Sequence, residues 1–290
     1  MKREEKRQII NIALEEYLNT PEKERSLTQI GRKYGVKRQT LSKYLKEQGV
    51  EVINYQNRCR INENVFDIID TEEKAYWLGF IYADGNISSV GHRFEINLSA
   101  KDLNHMLKLK KFLNYEGDIR VEDNRGVGYE VCRLAVRNKN LWEQLNSKGC
   151  TPCKSLTLEF PKLEVFTNYI LVYDFIRGYC DGDGSLGIYE KEEISFVGTK
   201  LFLQQIENIL DVKGYLRSKS TSNYINQAYS LQYSSLKARV VARKLYENAN
   251  IYMDRKYNLF IKFCQREEES SLKKSSKNGK RWNANTVLTN

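Results

Sequence analysis

The chain has 290 residues, enough for two ordinary domains or one large domain with an appendage. Lys and Arg number 47 against 37 Asp and Glu, a net charge of +10 that favours a polyanionic partner. Residues 1–60 carry 14 basic and 8 acidic side chains and residues 266–290 carry 6 and 3, so the ends are basic and the middle is nearly neutral. No apolar run approaches the roughly 20 residues of a membrane span. The charged start MKREEKRQ leads into no apolar signal stretch. The expectation is a soluble intracellular protein, in the cytoplasm or nucleoid of a bacterial or phage-infected cell. Six Cys with one CxxC, Cys150 and Cys153, read as free thiols of a reducing compartment. Two histidines, His92 and His105, leave little room for chemistry built on several imidazoles.

Over residues 3–19, Ile9, Ile10, Ala13, Leu14, Tyr17 and Leu18 recur at helical spacing, and Thr20-Pro21 closes the pattern. In SLTQIGRKYGVKRQTLSKYLKEQG (26–49), Leu27, Ile30 and Tyr34 form one short apolar face. Gly35 suits a turn, and Val36, Leu41 and Leu45 form a second face. Two short helices joined by a tight glycine turn outline a helix-turn-helix. The segment resembles that of resolvase- and invertase-like DNA-binding domains. The resemblance implies a second helix that enters a major groove and presents Lys37, Arg38, Gln39, Thr40, Ser42 and Lys43. Residues 1–50 are therefore expected to form a small all-α DNA-binding domain.

Residues 51–70 are polar and weakly patterned and read as a linker. From residue 71 one pattern is written twice. EKAYWLGFIYADGNI (73–87) is echoed by LVYDFIRGYCDGDGSL (171–186), with Asp84 and Asp183 in register 99 residues apart. Strand-like alternation follows in both copies. Phe94, Ile96 and Leu98 oppose Arg93, Glu95, Asn97 and Ser99; Cys132, Leu134 and Val136 oppose Arg133, Ala135 and Arg137; Tyr229, Leu231 and Tyr233 oppose Ser230, Gln232 and Ser234. Helices are expected at about 101–114, 138–148, 199–211 and 235–248. The fold class is α+β, two pseudo-symmetric αββαββα repeats at about 71–165 and 166–265 behind the small all-α domain. Residues 266–290, rich in Ser and Lys, read as a flexible basic tail.

Inside each duplicated helix sit small residues four apart, Gly79 with Ala83 and Gly178 with Gly182. That spacing puts both on one face, so the two helices can pack with close backbones. Asp84 and Asp183 then meet at the C-terminal ends, where Gly85 and Gly184 are placed to terminate the helices. Two carboxylates there repel each other and face the negative ends of two helix dipoles. A hard divalent cation relieves both effects, and paired ions around a phosphate can stabilise attacking and leaving oxygens.

WLGFIYADG (77–85) and IRGYCDGDG (176–184) resemble the signature helices of LAGLIDADG homing endonucleases, over about residues 71–265. The resemblance implies a monomeric enzyme that makes a metal-dependent double-strand break in a long site on double-stranded DNA, as the homing endonuclease of a mobile element. It implies Asp84 and Asp183 as metal-binding acids, with the main-chain carbonyls of Ala83 and Gly182 as further ligands of two or three Mg²⁺ or Mn²⁺ ions. It also implies Lys154 and Lys256 as basic residues near the cleavage centre. The sheet faces that would track the major groove carry Arg93, Glu95, Asn97, Ser99, Arg120, Arg133, Arg137, Ser195, Arg217, Lys219, Ser230, Gln232 and Ser234. The polar residue that some members carry after the second strand reads as Ala100 in one half and Thr199 in the other. Asp181, Asp183, Ser185 and Glu192 match four positions of an EF-hand loop, but Leu186 stands where that loop needs glycine. The rival expectation is a DNA-binding transcriptional regulator on a non-cleaving fold of the same kind, which could lose either acid without penalty.

Overall fold

The computed structural model describes residues 3–21, 25–50, 52, 60–123, 128–154, 157–219 and 228–285. The chain divides into two units, residues 1–60 and 61–290. The first holds α1 (Arg3–Asn19), α2 (Leu27–Lys33) and α3 (Arg38–Glu47). Its core is small: Ile10, Ala13, Leu14, Tyr17, Leu27, Ile30, Leu41 and Leu45. Ser26 starts α2 by accepting the Gln29 amide at 3.3 Å, the ordinary serine cap. Gly35 turns the chain with φ +65. Gly31 is needed for a different reason, because a β-carbon there would run into the Val36 carbonyl.

The second unit follows the duplicated order. Repeat one runs α4 (Glu72–Asp84), β1 (Gly85–Ser88), β2 (Arg93–Ser99), α5 (Leu103–Phe112), β3 (Arg120–Asp123), β4 (Glu130–Arg137) and α6 (Lys139–Ser147). Repeat two runs α7 (Ile170–Asp183), β5 (Ser185–Ile188), β6 (Glu192–Gly198), α8 (Lys200–Leu210), β7 (Tyr215–Ser218), β8 (Tyr229–Ser234) and α9 (Leu236–Tyr246). Each repeat makes one antiparallel four-stranded sheet, ordered β1-β2-β4-β3 and β5-β6-β8-β7. The alternation works as strand geometry requires. Phe94, Ile96, Leu98, Cys132, Leu134, Val136, Leu231 and Tyr233 are buried on one face, under helices of their own repeat.

Two stretches differ from expectation. Residues 61–70 are not a linker. Val65, Phe66 and Ile69 are buried in the same core, the Phe66 amide donates to Gln144 Oε1 at 3.0 Å, and Ile69 bridges to Phe166. Residues 266–285 are not irregular either, since α10 extends over Asp254–Asn285, and 286–290 lie outside the described residues. Phe260 and Phe263 bury one side of its first turns, and Arg243 to Glu267 at 2.7 Å holds the next. Propagating a nucleated helix is then easier than leaving it. Among the described residues no helix is long and apolar enough to cross a membrane. Cys132, Cys150, Cys153, Cys180 and Cys264 are free thiols.

Candidate functional site

Helices α4 and α7 meet main chain to main chain. A β-carbon on Gly79 would run into the Phe175 carbonyl oxygen, and one on Gly178 into that of Tyr76. Both glycines are required by close approach, as their spacing suggests. Thr71 caps α4 by accepting the Lys74 amide at 3.3 Å, and Glu72 and Glu73 suit its positive end. Away from the acids, buried Arg177 of α7 ties the pair by bonding Glu72 and Asp174, each at 2.7 Å. Such a charge is tolerated only because it is paired on every side.

The glycines after the acids also act by proximity. Gly85 and Gly184 have φ −73 and −86, ordinary for any residue. A β-carbon on Gly85 would strike the Ile81 carbonyl, and one on Gly184 the Cys180 carbonyl. The chain therefore leaves each helix and enters β1 or β5 directly, with the acid as the last helical residue.

Asp84 is half-buried and Asp183 more exposed, and each is the last residue of its helix. A β-carbon on Gly182 would meet the Ala83 side chain and lie 3.2 Å from Asp84 Oδ2. Each acid's helix end thus abuts the other's. Burial, reinforced by the charge of Asp183, pushes the Asp84 carboxyl up to about 6. Burial raises Asp183 too, against the opposing pull of Lys154, Lys256 and Lys219.

Lys154 and Lys256 are 8% and 2% exposed, far from the ordinary state of a lysine. Among the described residues neither forms an ion pair with Asp84 or Asp183. Lys154 donates to the Gly85 carbonyl. Lys256 donates to the carbonyls of Cys180 at 2.6 Å, Asp181 at 2.7 Å and Gly184 at 2.7 Å. A cation at a helix C-terminus satisfies carbonyls that the helix leaves open. Burial pulls both ammonium groups below the usual lysine range.

The donor set fits a hard divalent cation. Two carboxylates held up by burial, Asp84 also by the charge of Asp183, gain from a neighbouring positive charge, and all nearby donors are oxygens. Asp84 and Asp183, with the main-chain oxygens of Ala83 and Gly182, would hold the ions. Among the described residues no cluster of three or more His, Cys, Asp or Glu could hold a metal alone. Any coordination here would need oxygen ligands beyond the two carboxylates.

The sheet faces are more self-neutralised than the alternation implies. Glu95 is buried, bonded by Arg93 and, at 2.7 Å, by Arg133, and it accepts Asn97 at 3.0 Å. Asn97 and Ser99 are exposed. Cross-strand pairing sets Arg93 opposite Arg137, Asn97 opposite Arg133 and Arg120 opposite Arg133. Arg120 and Arg137 form no ion pair among the described residues and are exposed. In repeat two, Ser195 pairs with Gln232, Glu193 with Ser234 and Arg217 with Ser230. Gln232 bonds Glu193 at 3.0 Å. Ser230 is buried at 4% exposure, so it is not an open contact, whereas Ser234, Arg217 and Lys219 are exposed. The EF-hand match dissolves: Ser185 lies in β5, and Glu192 in β6 is bonded by Arg239 at 2.9 Å. Thr199 is spent as the cap of α8 and donates to the Leu158 carbonyl at 2.6 Å.

In the N-terminal unit, Lys37, Arg38, Gln39 and Lys43 are exposed while Thr40 and Ser42 are half-buried. Arg38, Gln39, Ser42 and Lys43 share a shallow hollow with Lys46 and Glu47. Sequence reading missed Lys46, although its place one turn beyond Ser42 was legible. It gave Asp181 no part beyond the EF-hand match and gave Tyr82 none; both stand two residues before the acids, and their bonds reach other segments of the unit.

No model of a known protein family matches the chain, and no curated protein matches it. Among solved structures it is similar to the meganuclease I-SmaMI bound to uncleaveable DNA, at 13% identity over 71% of this chain and 95% of that one, with a TM-score of 0.45. It is also similar to the LAGLIDADG meganuclease I-AabMI bound to uncleaved DNA, at 14% identity over 68% and 91%, TM-score 0.45. A further similar structure is the I-LtrWI LAGLIDADG homing endonuclease bound to target DNA, at 11% identity over 71% and 92%, TM-score 0.45. Similarity of this degree does not transfer chemistry, which rests on the residues of the site itself.

Proposed function

We propose that this chain is a site-specific DNA endonuclease of the LAGLIDADG kind, and that it makes a metal-dependent double-strand break as the homing enzyme of a mobile element. The observation that carries the reading is the pair Asp84 and Asp183, set at abutting C-terminal ends of two glycine-packed helices, each end bonded by a buried lysine. Nothing in folding rewards two raised carboxyls at the negative ends of two helices. A functional demand explains them better than a structural one.

In this reading the sheets of the two repeats lie along DNA and bring one phosphodiester of each strand to the paired acids. Divalent ions bound there supply Lewis-acid stabilisation of the attacking and departing oxygens. Asp84 and Asp183 hold the ions and accept hydrogen bonds from water. Lys154 and Lys256 add positive charge beside the developing negative charge on phosphorus oxygens. Arg120, Arg137, Arg217 and Lys219 supply phosphate or base contacts, and Arg93 and Arg133 do so to the extent that Glu95 releases them. The N-terminal unit adds a second foothold through Lys37, Arg38, Gln39, Lys43 and Lys46. A monomer suffices, since both half-centres belong to one chain.

The test uses a duplex selected by the wild-type protein from a pool of randomised DNA. With Mg²⁺ the wild type cuts both strands, while Asp84→Asn and Asp183→Asn bind with unchanged or tighter affinity by gel shift and cut neither. Full cutting by either variant, or cutting without a divalent ion, overturns the mechanism. Specific binding without cutting by the wild type favours the regulator.

A further inference from the structure

The helices that close the two repeats, α6 and α9, end at Ser147 and Tyr246, 99 residues apart like the acids themselves. From each end a short segment leads to the lysine, Lys154 lying seven residues past Ser147 and Lys256 ten past Tyr246. Each segment is gripped by the residue two places before its acid. In repeat one the Tyr82 hydroxyl donates to the Lys148 carbonyl. Next to it, Gly149 turns the chain with φ +97 and Cys150 is fully buried.

In repeat two the equivalent residue is Asp181, itself fully buried. Its Oδ1 accepts the Tyr246 hydroxyl at 2.6 Å, at the end of α9. Its Oδ2 accepts the Met253 amide at 2.7 Å, three residues before Lys256, and the Tyr76 hydroxyl at 2.7 Å. Tyr76 belongs to α4 of the other repeat, and its oxygen also lies 3.0 Å from His105 Nε2. Since the single tyrosine proton goes to the carboxylate, His105 must donate through Nε2. Its Nδ1 is then the acceptor left without a partner. Burial pushes this imidazole down to about 3, so it is neutral. The same segment is clamped from outside by Lys108 to Asp254 at 2.6 Å and Arg255 to Asp102 at 3.1 Å.

We propose that Tyr82 and Asp181 are positioning residues, each setting the lysine of its own repeat against the carbonyl that ends the signature helix. One grip is a neutral hydroxyl within a repeat; the other is a carboxylate that gathers groups from both repeats. A buried acceptor with three donors has no slack, so the segment it holds has one placement. A lysine displaced by about 1 Å loses much of its effect on a developing charge. The strand-cutting part of this inference rests on the endonuclease reading; the placement of Lys256 does not.

Tyr82→Phe keeps shape and removes the grip of repeat one; Asp181→Asn keeps shape and weakens that of repeat two by turning one of its two acceptor oxygens into a donor. On the selected duplex with Mg²⁺, labelled on one strand at a time, each variant should slow one strand roughly ten- to a hundredfold and leave the other nearly unchanged, and the two should slow opposite strands. Asp181→Asn combined with Lys256→Ala should be no slower than Lys256→Ala alone, because one residue acts through the other. Should Asp181→Asn fail to fold, Tyr246→Phe removes one bond from the same carboxylate and should slow the same strand less. Equal slowing of both strands, slowing of the same strand by both variants, or additive loss in the double variant overturns the proposal. Without DNA or metal, ¹⁵N-lysine spectra of the full chain should show a slowly exchanging Lys256 ammonium that Asp181→Asn erases. An unchanged signal also overturns it. If the wild type cuts no selected duplex, the endonuclease reading fails while this signal still decides the placement.

Discussion

Asp84 reaches across to Gly182 of the opposite helix, so close that a β-carbon there would come within 3.2 Å of its Oδ2. The room occupied by one repeat's acid is therefore made by a missing side chain in the other. Both carboxyls share this junction, and the cost of charging one depends on the state of its partner.

That cost has a sign in stability. The folded Asp84 carboxyl titrates at about 6 against an ordinary 3.8, so the folded state holds its proton more tightly. In metal-free buffer the penalty is absent below pH ~4 and grows as pH rises through ~6. Asp84→Asn removes a penalty of about 3 kcal/mol at neutral pH and should raise the melting temperature by several degrees. The gain should shrink toward zero as pH is lowered to ~4. Melting curves with chelator at several pH values check both the sign and the window.

Gly79→Ala gains about 1 kcal/mol of helix propensity but places a β-carbon inside the Phe175 carbonyl. Backbone cannot yield as a side chain can, so overpacking by about 3 kcal/mol or more wins. Gly178→Ala should behave alike against Tyr76. Urea unfolding should move to lower midpoints for both, and an unchanged midpoint would mean that the helices lie farther apart than this packing requires.

Glu95 ties up two arginines. Arg137→Ala, Arg120→Ala and Arg217→Ala should each weaken DNA binding more than Arg93→Ala does. Glu95→Gln should tighten non-specific binding by freeing positive charge. Where Arg137 or Arg217 forms a bidentate pair with guanine, its removal costs roughly 1–3 kcal/mol of discrimination at that base pair. Site-preference profiles from randomised duplexes decide which residues read bases and which only hold phosphate.

Removing residues 1–60 takes away one compact unit at its boundary. The remaining chain should bind the selected duplex more weakly and with a shallower slope of log affinity against log salt, because fewer counterions are released. Cutting should persist at raised protein concentration. An unchanged slope would mean that the N-terminal unit makes no phosphate contacts.

The duplicated helices, the sheet alternation and both acids were legible because each leaves a periodic or repeated trace in residue type. Residues 61–70 left none. Val65, Phe66 and Ile69 are three apolar residues among polar ones, and their burial depends on Gln144, some eighty positions away. The continuation of α10 past 265 was hidden by a Ser- and Lys-rich composition, although Phe260 and Phe263 already anchor its first turns. Lys154 and Lys256 could be singled out by position, but not their docking, because a main-chain carbonyl has no signature in sequence. Glu95 looked like one more polar residue on an open face. Only cross-strand register shows it flanked by arginines.

Because Gly79 and Gly178 set main chain against main chain, the spacing between the two acids is fixed by atoms that every residue type shares. No rotamer change on the sheets and no substitution on their exposed faces can stretch that interval. In the proposed endonuclease reading, the recognition surfaces are thus free to diverge toward new DNA sequences while the gauge between the two points of attack stays constant. On that reading a change of target is a matter of repainting strands; a change in the stagger of the cut would demand rebuilding the helix contact itself.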